Sequence, residues 1–280
     1  MSIVNVKDIV EKKKVALKRE ILDLRDKGII PKLAVILAND IEASRIYVGR
    51  KRKLCQELGI EEVEYLFDEK SKTQDILEVI EKLNNNSEID GILVQLPLFK
   101  HLDEAKIIDS ILPEKDVDGF SVVNVGRLYA GKPSVVPCTP KGILTILKEL
   151  DKDLKGKNAV VVGRSQIVGK PMASLLLNED MTVTICHSRT TNLPEHTRNA
   201  DVLVVATGVP HLIKESMVKE GTIVIDVGMN RLKDKLVGDV DTEAVDKVAK
   251  YVTPVPGGVG LTTVLSLAQN VIELSKRRLK

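Results

Sequence analysis

Cysteine is scarce in this 280-residue chain. Its three cysteines, Cys55, Cys138 and Cys186, are odd in number, far apart and outside any CxxC or Cys/His cluster with metal-ligand spacing. This usage excludes a disulfide framework and argues against a structural zinc site, and it is typical of proteins from reducing compartments. We therefore expect a cytoplasmic protein without a bound metal.

The chain also lacks an excess of either charge and any long apolar run. Its 42 Lys and Arg residues nearly balance 40 Asp and Glu residues, and the charges are interspersed. The basic stripe that is typical of nucleic-acid binding is therefore missing. No apolar run approaches membrane-spanning length, and the first 20 residues lack the apolar core of a signal peptide. We expect neither a nucleic acid nor a membrane as a partner.

What the chain does contain is an alternation of helical and strand patterns. The first series runs helix, strand, helix, strand, helix, strand, over 7–27, 32–38, about 41–58, 61–67, the residues after Thr73, and 91–98. The second series has the apolar runs NAVVVG, TVTICHS, DVLVVATG and TIVIDVG, a pattern typical of strands buried on both faces. The alternation predicts an α/β fold with mostly parallel sheets.

The length of the chain is sufficient for two domains. A Gly/Pro-rich segment, 126–142, separates the two series. We predict an N-terminal α/β catalytic domain over 1–136 and a Rossmann-like, doubly wound domain over 137–260. Residues 261–280 have the pattern of an amphipathic helix, which we expect to return to the first domain.

A glycine loop near the start of the second domain indicates a nucleotide site. Gly163, Arg164 and Ser165 begin the run GRSQIVG, which follows a strand pattern and precedes a helical one. Glycine lets the backbone approach a pyrophosphate, and a helix N-terminus attracts anions. The spacing departs from GxGxxG, so a plain strand-to-helix connection is the alternative.

The next strand end favours NADP over NAD. An NAD site places Asp or Glu about 20 residues past the glycine loop, but this chain has CHSRT there, with Ser188 at its centre. Arg164 and Ser188 suit a 2′-phosphate better than a bare hydroxyl. The loop DVGMN also follows a strand, so Met229 either packs beside the nicotinamide or is an ordinary core methionine.

Polar residues in the first domain suggest an acid/base site. Tyr47 and Lys51 stand four apart in a helical pattern, so a phenol and an ammonium would share one face. An exposed lysine beside a half-buried tyrosine is the alternative. Gln95 interrupts an apolar strand, where a buried amide needs a partner from a site or a structural network. Asp118, in KDVDGF, either caps a helix or accepts paired hydrogen bonds from a ring such as a pterin.

A loop dense in glycine and proline, PVPGGVG, precedes the last helical pattern and includes Pro256 and Gly257. Such bare backbone admits a flat ligand close to the main chain. A hinge between domains is the alternative.

Together, these segments resemble the bifunctional methylenetetrahydrofolate dehydrogenase/methenyltetrahydrofolate cyclohydrolases of the FolD type. The matching segments, in chain order, are ASRIYVGRK, GILVQLPL, KDVDGF, VPCTPKGI, GRSQIVGKP, CHSRT, ATGVP, IDVGMN and PGGVG. The resemblance implies a homodimer that oxidises 5,10-methylenetetrahydrofolate with NADP and hydrolyses the methenyl product to 10-formyltetrahydrofolate in the same cleft.

The resemblance also implies roles for individual residues. Lys51 matches the acid/base lysine, Tyr47 the tyrosine that places the folate, and Gln95 the glutamine that hydrogen-bonds the lysine. Asp118 matches the aspartate that holds the pterin edge. Backbone around Pro256 and Gly257 matches a border of the folate, and the positions that hold NADP are matched by Gly163, Arg164, Ser165, Ser188 and Met229.

Two departures from the family pattern lie beside the residues that the resemblance implies border the folate. Ser121-Val122 stands where His-Pro is common, and Leu261-Thr262 stands where Pro-Met is common. They put the folate fit and the balance of the two activities in question.

Three other functions are weighed against this one. Short-chain dehydrogenases also place a tyrosine and a lysine four apart, but there the glycine loop precedes the tyrosine, and here it follows. A dehydrogenase without the hydrolase step and a non-catalytic nucleotide-binding regulator remain alternatives.

Overall fold

The computed structural model describes residues 2–233 and 235–279, apart from the side chain of Ala43. The chain forms two compact units, each built around a parallel sheet. We call Lys12–Cys138 with Val264–Lys280 the three-stranded unit, and Met1–Glu11 with Thr139–Thr263 the five-stranded unit.

The start of the chain differs from the predicted division, which placed all of 1–136 in one domain. Backbone hydrogen bonds join Val4 N to Val252 O and Val252 N to Ser2 O, each 2.9 Å long. Ile3 therefore forms a parallel bridge with Val252, the last residue of a strand in the five-stranded sheet. This pairing groups the first residues with the five-stranded unit.

The first six elements alternate between helix and strand, as the sequence predicts, and two further helices follow them. They are α1 (Val6–Arg25), β1 (Lys32–Leu37), α2 (Glu42–Leu58), β2 (Glu61–Leu66), α3 (Thr73–Asn85), β3 (Gly91–Gln95), α4 (Glu104–Asp109) and α5 (Val122–Tyr129). The sheet has the order β2-β1-β3, and both pairings are parallel.

The centre of this sheet is the core of the three-stranded unit. Five consecutive residues of β1 are buried, and β3 is buried except for its last residue, Gln95. Ile76 and Ile80 of α3 pack on the same cluster, because residues four apart share one helix face. The polar end of β3 therefore emerges from an apolar core at the carboxyl edge of the sheet.

The later elements form the five-stranded unit and the final helix. They are α6 (Cys138–Leu150), β4 (Asn158–Val162), α7 (Gly169–Asn178), β5 (Thr182–Cys186), α8 (Leu193–Thr197), β6 (Val202–Val205), β7 (Ile223–Asp226), β8 (Asn230–Leu232), β9 (Lys235–Val237), α9 (Thr242–Val245), β10 (Tyr251–Val252) and α10 (Val259–Ser275). Short 3₁₀ turns cover Glu215–Met217 and Lys276–Leu279.

The five-stranded sheet is doubly wound. Its order is β10-β7-β6-β4-β5, and all of its pairings are parallel. Winding reverses after β5, so the topological switch point lies between β4 and β6. Ligands of such sheets bind beside the carboxyl ends of strands at that point, which here are the loops that follow Val162 and Val205.

One sequence prediction in this region was wrong in part. Strand β5 was expected to be buried on both faces, but only Cys186 is buried, because β5 is an edge strand. The Gly/Pro-rich segment 126–142, which separates the two series, contains the end of α5 and the start of α6.

The last helix was predicted to be amphipathic over 261–280. It begins earlier, at Val259, and all but four of its residues are buried, the exceptions being Gly260, Leu261, Gln269 and Glu273. A helix that is buried nearly all round carries apolar residues on every face, so its sequence has no broad polar stripe. Among the described residues, no helix is both long enough and apolar enough to cross a membrane.

Candidate active site

Lys51 is a buried cation in the three-stranded unit. It lies on α2, and only 5% of its surface is exposed. Its ammonium lies 4.6 Å from the centre of the Tyr47 ring, which is one turn earlier on the same helix and within the range of a cation–π contact. Its Nζ also donates a 3.1 Å hydrogen bond to Oε1 of Gln95. This geometry excludes the alternative of an exposed lysine beside a half-buried tyrosine.

Two hydrogen bonds fix the orientation of the side-chain amide of Gln95. Its Oε1 accepts from Lys51, and its Nε2 donates a 2.7 Å hydrogen bond to the carbonyl oxygen of Leu96. Gln95 ends β3, and the chain then passes through a cis peptide bond between Leu96 and Pro97. The acceptor oxygen therefore faces the ammonium.

The two carboxylates of KDVDGF have different surroundings. Asp116 is 2% exposed and accepts hydrogen bonds from the N–H groups of Gly119 at 2.9 Å and Ser121 at 2.8 Å. It also accepts from the side chain of Asn124 at 3.0 Å. Asp116 therefore holds the turn. The sequence had left this structural role open as an alternative for Asp118.

The carboxyl group of Asp118 is in electrostatic reach of Lys51. Burial is the largest influence on this group and raises its pKa, while the positive charge of Lys51 acts in the opposite direction. The nearby charge of Asp116 raises the pKa further. A cation and an anion of the three-stranded unit therefore share one polar region.

Cys55 lies one turn beyond Lys51 on α2 and does not serve as a nucleophile. Burial raises the pKa of its thiol to about 12, and the charge of Glu62 adds to this effect. Only the thiolate is a strong nucleophile, so a thiol with this pKa stays inert near neutral pH.

In the five-stranded unit, Gly163 joins β4 to the glycine loop at the switch point. Its φ is +123°, and a Cβ at this position would overlap the carbonyl group of Ala206, the residue after β6. Only glycine fits this conformation and this close approach. The glycine therefore brings the loops after β4 and β6 into backbone contact.

The glycine loop is closed by its own serine. Oγ of Ser165 accepts hydrogen bonds from Val168 N at 3.2 Å and Gly169 N at 3.3 Å, at the start of α7. The hydroxyl acts as acceptor in both, so its proton is still available for donation. The loop thus reaches the N-terminus of α7 as an ordered turn.

Arg164 and Ser188 follow the ends of neighbouring strands. Val162 of β4 pairs with Cys186 of β5, and each candidate lies two residues beyond its strand. Both side chains are exposed. Their positions suit an anionic group at the edge of the switch point.

Met229 and the PVPGGVG loop also belong to the five-stranded unit. Met229 is 59% exposed, so the alternative of an ordinary core methionine is excluded. Pro256 and Gly257 are exposed in the loop between β10 and α10, after a cis peptide bond at Val255-Pro256. The candidate residues thus fall into two groups: Tyr47, Lys51, Gln95 and Asp118 in the three-stranded unit, and the others in the five-stranded unit.

Comparisons with known proteins agree along the whole chain. Residues 4–118 match the family model for the tetrahydrofolate dehydrogenase/cyclohydrolase catalytic domain, and 137–279 match the model for the NAD(P)-binding domain of the same enzymes. The bifunctional protein FolD of Campylobacter hominis is 52% identical over 281 residues, covering 100% of this chain and 99% of the relative.

Solved structures give the same result. The bifunctional FolD dehydrogenase/cyclohydrolase of Campylobacter jejuni has a TM-score of 0.96 and 47% identity, covering 98% of both chains. The Trypanosoma brucei methylenetetrahydrofolate dehydrogenase-cyclohydrolase, which was solved with NADP cofactor and an inhibitor, has a TM-score of 0.94 and 35% identity. It covers 99% of this chain, and 98% of its own chain is covered.

The chain belongs to the tetrahydrofolate dehydrogenase/cyclohydrolase family. The resemblance indicated by the sequence is therefore confirmed, as are the two-domain α/β architecture and the presence of an NAD(P)-binding domain.

In this family member, sequence reasoning missed the residues that fix the Asp118 loop. Asn270 of α10 is 1% exposed, and its Nδ2 donates to the carbonyl oxygens of Val117 at 2.8 Å and Val136 at 2.9 Å. Sγ of Cys138 also donates to Val117 O, at 3.5 Å. Asn270 is one of seven polar residues in α10, so its residue type alone did not mark it as a buried amide that must be paired.

The two departures from the family pattern have local roles in folding. Oγ of Ser121 accepts from Asn124 N at 3.4 Å and caps α5, as serine commonly does at a helix start. Thr262 is fully buried against Gly142, and its hydroxyl donates to the carbonyl of Val259 at 3.0 Å. Each residue is therefore accommodated within its own unit.

Proposed function

We propose that this family member oxidises 5,10-methylenetetrahydrofolate with NADP and hydrolyses the methenyl product to 10-formyltetrahydrofolate. One observation carries the proposal: a buried Lys51 ammonium is held by the Tyr47 ring and the Gln95 amide, with the carboxyl group of Asp118 in electrostatic reach. The FolD relatives, which are named as bifunctional, support the reaction class.

Lys51 is the acid/base group of the hydrolysis in this proposal. Water adds to the methenyl carbon, and the bond from that carbon to one ring nitrogen breaks. The Lys51 ammonium donates a proton to the departing nitrogen, and the resulting neutral amine takes one proton from the added water, which restores the ammonium. The second proton of the water goes to solvent. General acid/base catalysis needs a positioned group, and the hydrogen bond to Gln95 sets the position of Nζ.

The folate is held by groups whose chemistry fits a pterin and its one-carbon bridge. Asp118 accepts the paired N–H groups of the pterin edge, because a carboxylate has two acceptor oxygens. Tyr47 offers the face of its ring, and the exposed backbone at Pro256 and Gly257 borders the ligand. These assignments follow the family pattern at the matching positions.

The described residues fit NADP at the switch point. At Gly163 the glycine loop packs directly on the backbone of Ala206, with no side chain between them, and the ordered N-terminus of α7 attracts phosphate. Arg164 and Ser188 bind the 2′-phosphate, and Ser165 retains a hydroxyl proton for donation. When bound, the cofactor accepts the hydride; the protein binds and orients it.

The test of this function is Lys51→Met assayed for hydrolysis of methenyltetrahydrofolate without NADP. We expect the rate to fall by about 10²–10⁴-fold, the usual contribution of a general acid/base group. Lys53→Met is the matched control, because Lys53 is exposed on the same helix. If Lys51→Met hydrolyses at the wild-type rate, the assignment of Lys51 is refuted.

Two assays on the unmodified protein separate the alternative functions. Methenyltetrahydrofolate turnover without NADP distinguishes the bifunctional enzyme from a dehydrogenase that lacks the hydrolase step. Folate-dependent reduction of NADP distinguishes an enzyme from a nucleotide-binding regulator. Failure of both would refute the proposed function.

A homodimer is part of the proposal. The edge strand β5 and the neighbouring α7 expose apolar side chains, with Ile185 43% and Leu177 58% exposed. Unpaired edge strands with apolar side chains favour association. Light scattering should give twice the chain mass, and a monomer at micromolar concentration would refute this part.

A cytoplasmic location is also proposed. All three cysteines are buried thiols, which suits a reducing compartment. Fractionation of the source cells tests the location, and recovery outside the cytoplasm would contradict it.

A further inference from the structure

Two buried carboxylates at the carboxyl edge of the five-stranded sheet have no part in the proposed chemistry. Asp226 ends β7 and is 1% exposed, while Asp239 follows β9 and is fully buried. Burial raises the pKa of Asp226 to about 6, so it is still mostly a carboxylate above neutral pH. Buried charges of this kind need donors around them.

Asp239 joins two loops that are distant in sequence. Its Oδ2 accepts hydrogen bonds from Thr207 N at 2.5 Å, Thr207 Oγ1 at 2.9 Å and Gly208 N at 2.9 Å, all in the loop after β6. Its Oδ1 accepts from Nδ2 of Asn230 at 2.8 Å. One carboxylate therefore ties the loop after β6 to the first residue of β8.

Asp226 anchors the other end of the same loop system. It accepts from the N–H groups of Gly228 at 3.0 Å, Asp239 at 2.9 Å and Val240 at 3.0 Å. A Cβ on Gly238 would overlap the Asp226 carboxylate, so the backbone wraps closely around it. Asp226 thus fixes the position of Asp239 itself.

Met229 lies between these two anchors. Its predecessor, Gly228, is held by Asp226, and its successor, Asn230, is held by Asp239. In the loop after β6, Val209 is 47% exposed next to the residue that Asp239 holds, and Met229 is 59% exposed. Two exposed apolar side chains at strand carboxyl ends are therefore presented by a rigid buried network.

The first of these loops lies at the switch point. Ala206, which opens it, contacts Gly163 of the glycine loop. A displacement of Thr207 and Gly208 would therefore change the crevice that receives a dinucleotide in sheets of this kind.

We propose that Asp239 is a positioning residue for the dinucleotide cofactor, which it serves by holding the Thr207–Gly208 loop and Met229 in place. The inference rests on the proposed function. Asp239 acts on the NADP-dependent oxidation and leaves the hydrolysis unchanged, because the hydrogen-bond partners of its carboxylate, Thr207, Gly208 and Asn230, include none of the residues proposed to hold the folate. The two activities of one protein thus serve as mutual controls.

The experiment compares Asp239→Ala and Asp239→Asn with the wild type. For Asp239→Ala, we expect kcat/KM for NADP to fall by about tenfold or more, because small displacements of positioning groups are costly. Hydrolysis of methenyltetrahydrofolate without NADP should stay within about twofold, since no contact of the lysine site changes.

Asp239→Asn should have a smaller effect on NADP kinetics. Its amide oxygen can accept from Thr207 and Gly208, and its amide nitrogen can face Asn230, whose own amide can rotate to accept. Asp241→Ala is the matched control, because Asp241 lies two residues later and its carboxylate pairs with Lys214 at the surface at 3.1 Å. We expect it to keep both activities.

Three results overturn the inference. Wild-type NADP kinetics in Asp239→Ala would show that the loops need no anchor. A proportional loss of both activities in Asp239→Asn would assign a general structural role instead. In titration calorimetry, equal NADP affinity of Asp239→Ala and wild type would also refute it. Calorimetry distinguishes failure of this inference from failure of the proposed enzyme function. If the wild type binds NADP but does not turn over folate, the proposed enzyme function is refuted. The effect of Asp239→Ala on NADP binding can still be measured in that case.

Discussion

Replacing Asn270 with alanine should destabilise the three-stranded unit and weaken folate binding together. The Nδ2 group of Asn270 donates to Val117 O and Val136 O. One acceptor is beside a candidate site residue, and the other is close to the start of a helix. Val117 directly precedes Asp118, and Val136 is two residues before the start of α6 at Cys138. Alanine would leave both carbonyl oxygens without this donor inside the protein.

The magnitude follows from those two bonds. A buried polar group left unsatisfied costs about 1–3 kcal/mol. Val117 O keeps the weaker Sγ donor of Cys138 and Val136 O is only partly buried, so the two losses together should lower the free energy of unfolding by about 1–3 kcal/mol. For a unit of this size, each kcal/mol is worth about 2–4 °C in Tm, so the midpoint of the unit that contains Asn270 should fall by about 2–12 °C.

Thermal unfolding followed by circular dichroism measures the stability, and initial rates at varied folate concentration give KM for the folate. Asn86→Ala is the matched control in the same unit, because the Asn86 side chain accepts only one exposed hydrogen bond, from Glu88 N at 2.9 Å. We expect its Tm to change little. A Tm shift for Asn270→Ala as small as that of Asn86→Ala, with unchanged KM, would refute the reasoning.

Two further predictions concern the candidate site residues. Asp118→Asn should raise Tm at pH 7 and raise KM for the folate, because burial lifts the pKa of Asp118 in the folded protein. A raised carboxyl pKa gives stability that is present at low pH and lost as pH rises through the folded value, so the Tm difference should vanish near pH 4; an unchanged difference there contradicts this. Gly163→Ala should abolish NADP binding in calorimetry, since its Cβ would overlap Ala206 at a φ of +123°; wild-type affinity contradicts this.

Local patterns predicted most of the fold. The helix predicted over about 41–58 forms as Glu42–Leu58, and the apolar runs form the strands of two parallel sheets. These elements are readable because side-chain periodicity and turn residues act over a few neighbouring positions. Residues 1–11 were placed wrongly with respect to the compact units, because a pairing between Ile3 and Val252 spans almost the whole chain.

In the candidate lysine site, too, some features were predictable from local sequence and others depend on tertiary packing. Spacing put Tyr47 and Lys51 on one helix face, and an amide in an apolar strand predicted a partner for Gln95. That the partner is Lys51 follows only from the packing of α2 against the sheet. Likewise, KDVDGF contains two aspartates, and only the backbone N–H groups around Asp116 distinguish the structural carboxylate from Asp118.

By itself, the sequence determined the family, the alternation of helices and strands, and the residue types available for catalysis and cofactor binding. The tertiary structure decided which polar groups are buried and paired: Lys51 with Gln95, Asn270 with the Asp118 loop, and Asp239 with Thr207 and Asn230. The reason is physical. Helix and strand formation depends on neighbours within about one or two turns, whereas a buried charge or amide takes its partner from any segment that folding brings within hydrogen-bond distance.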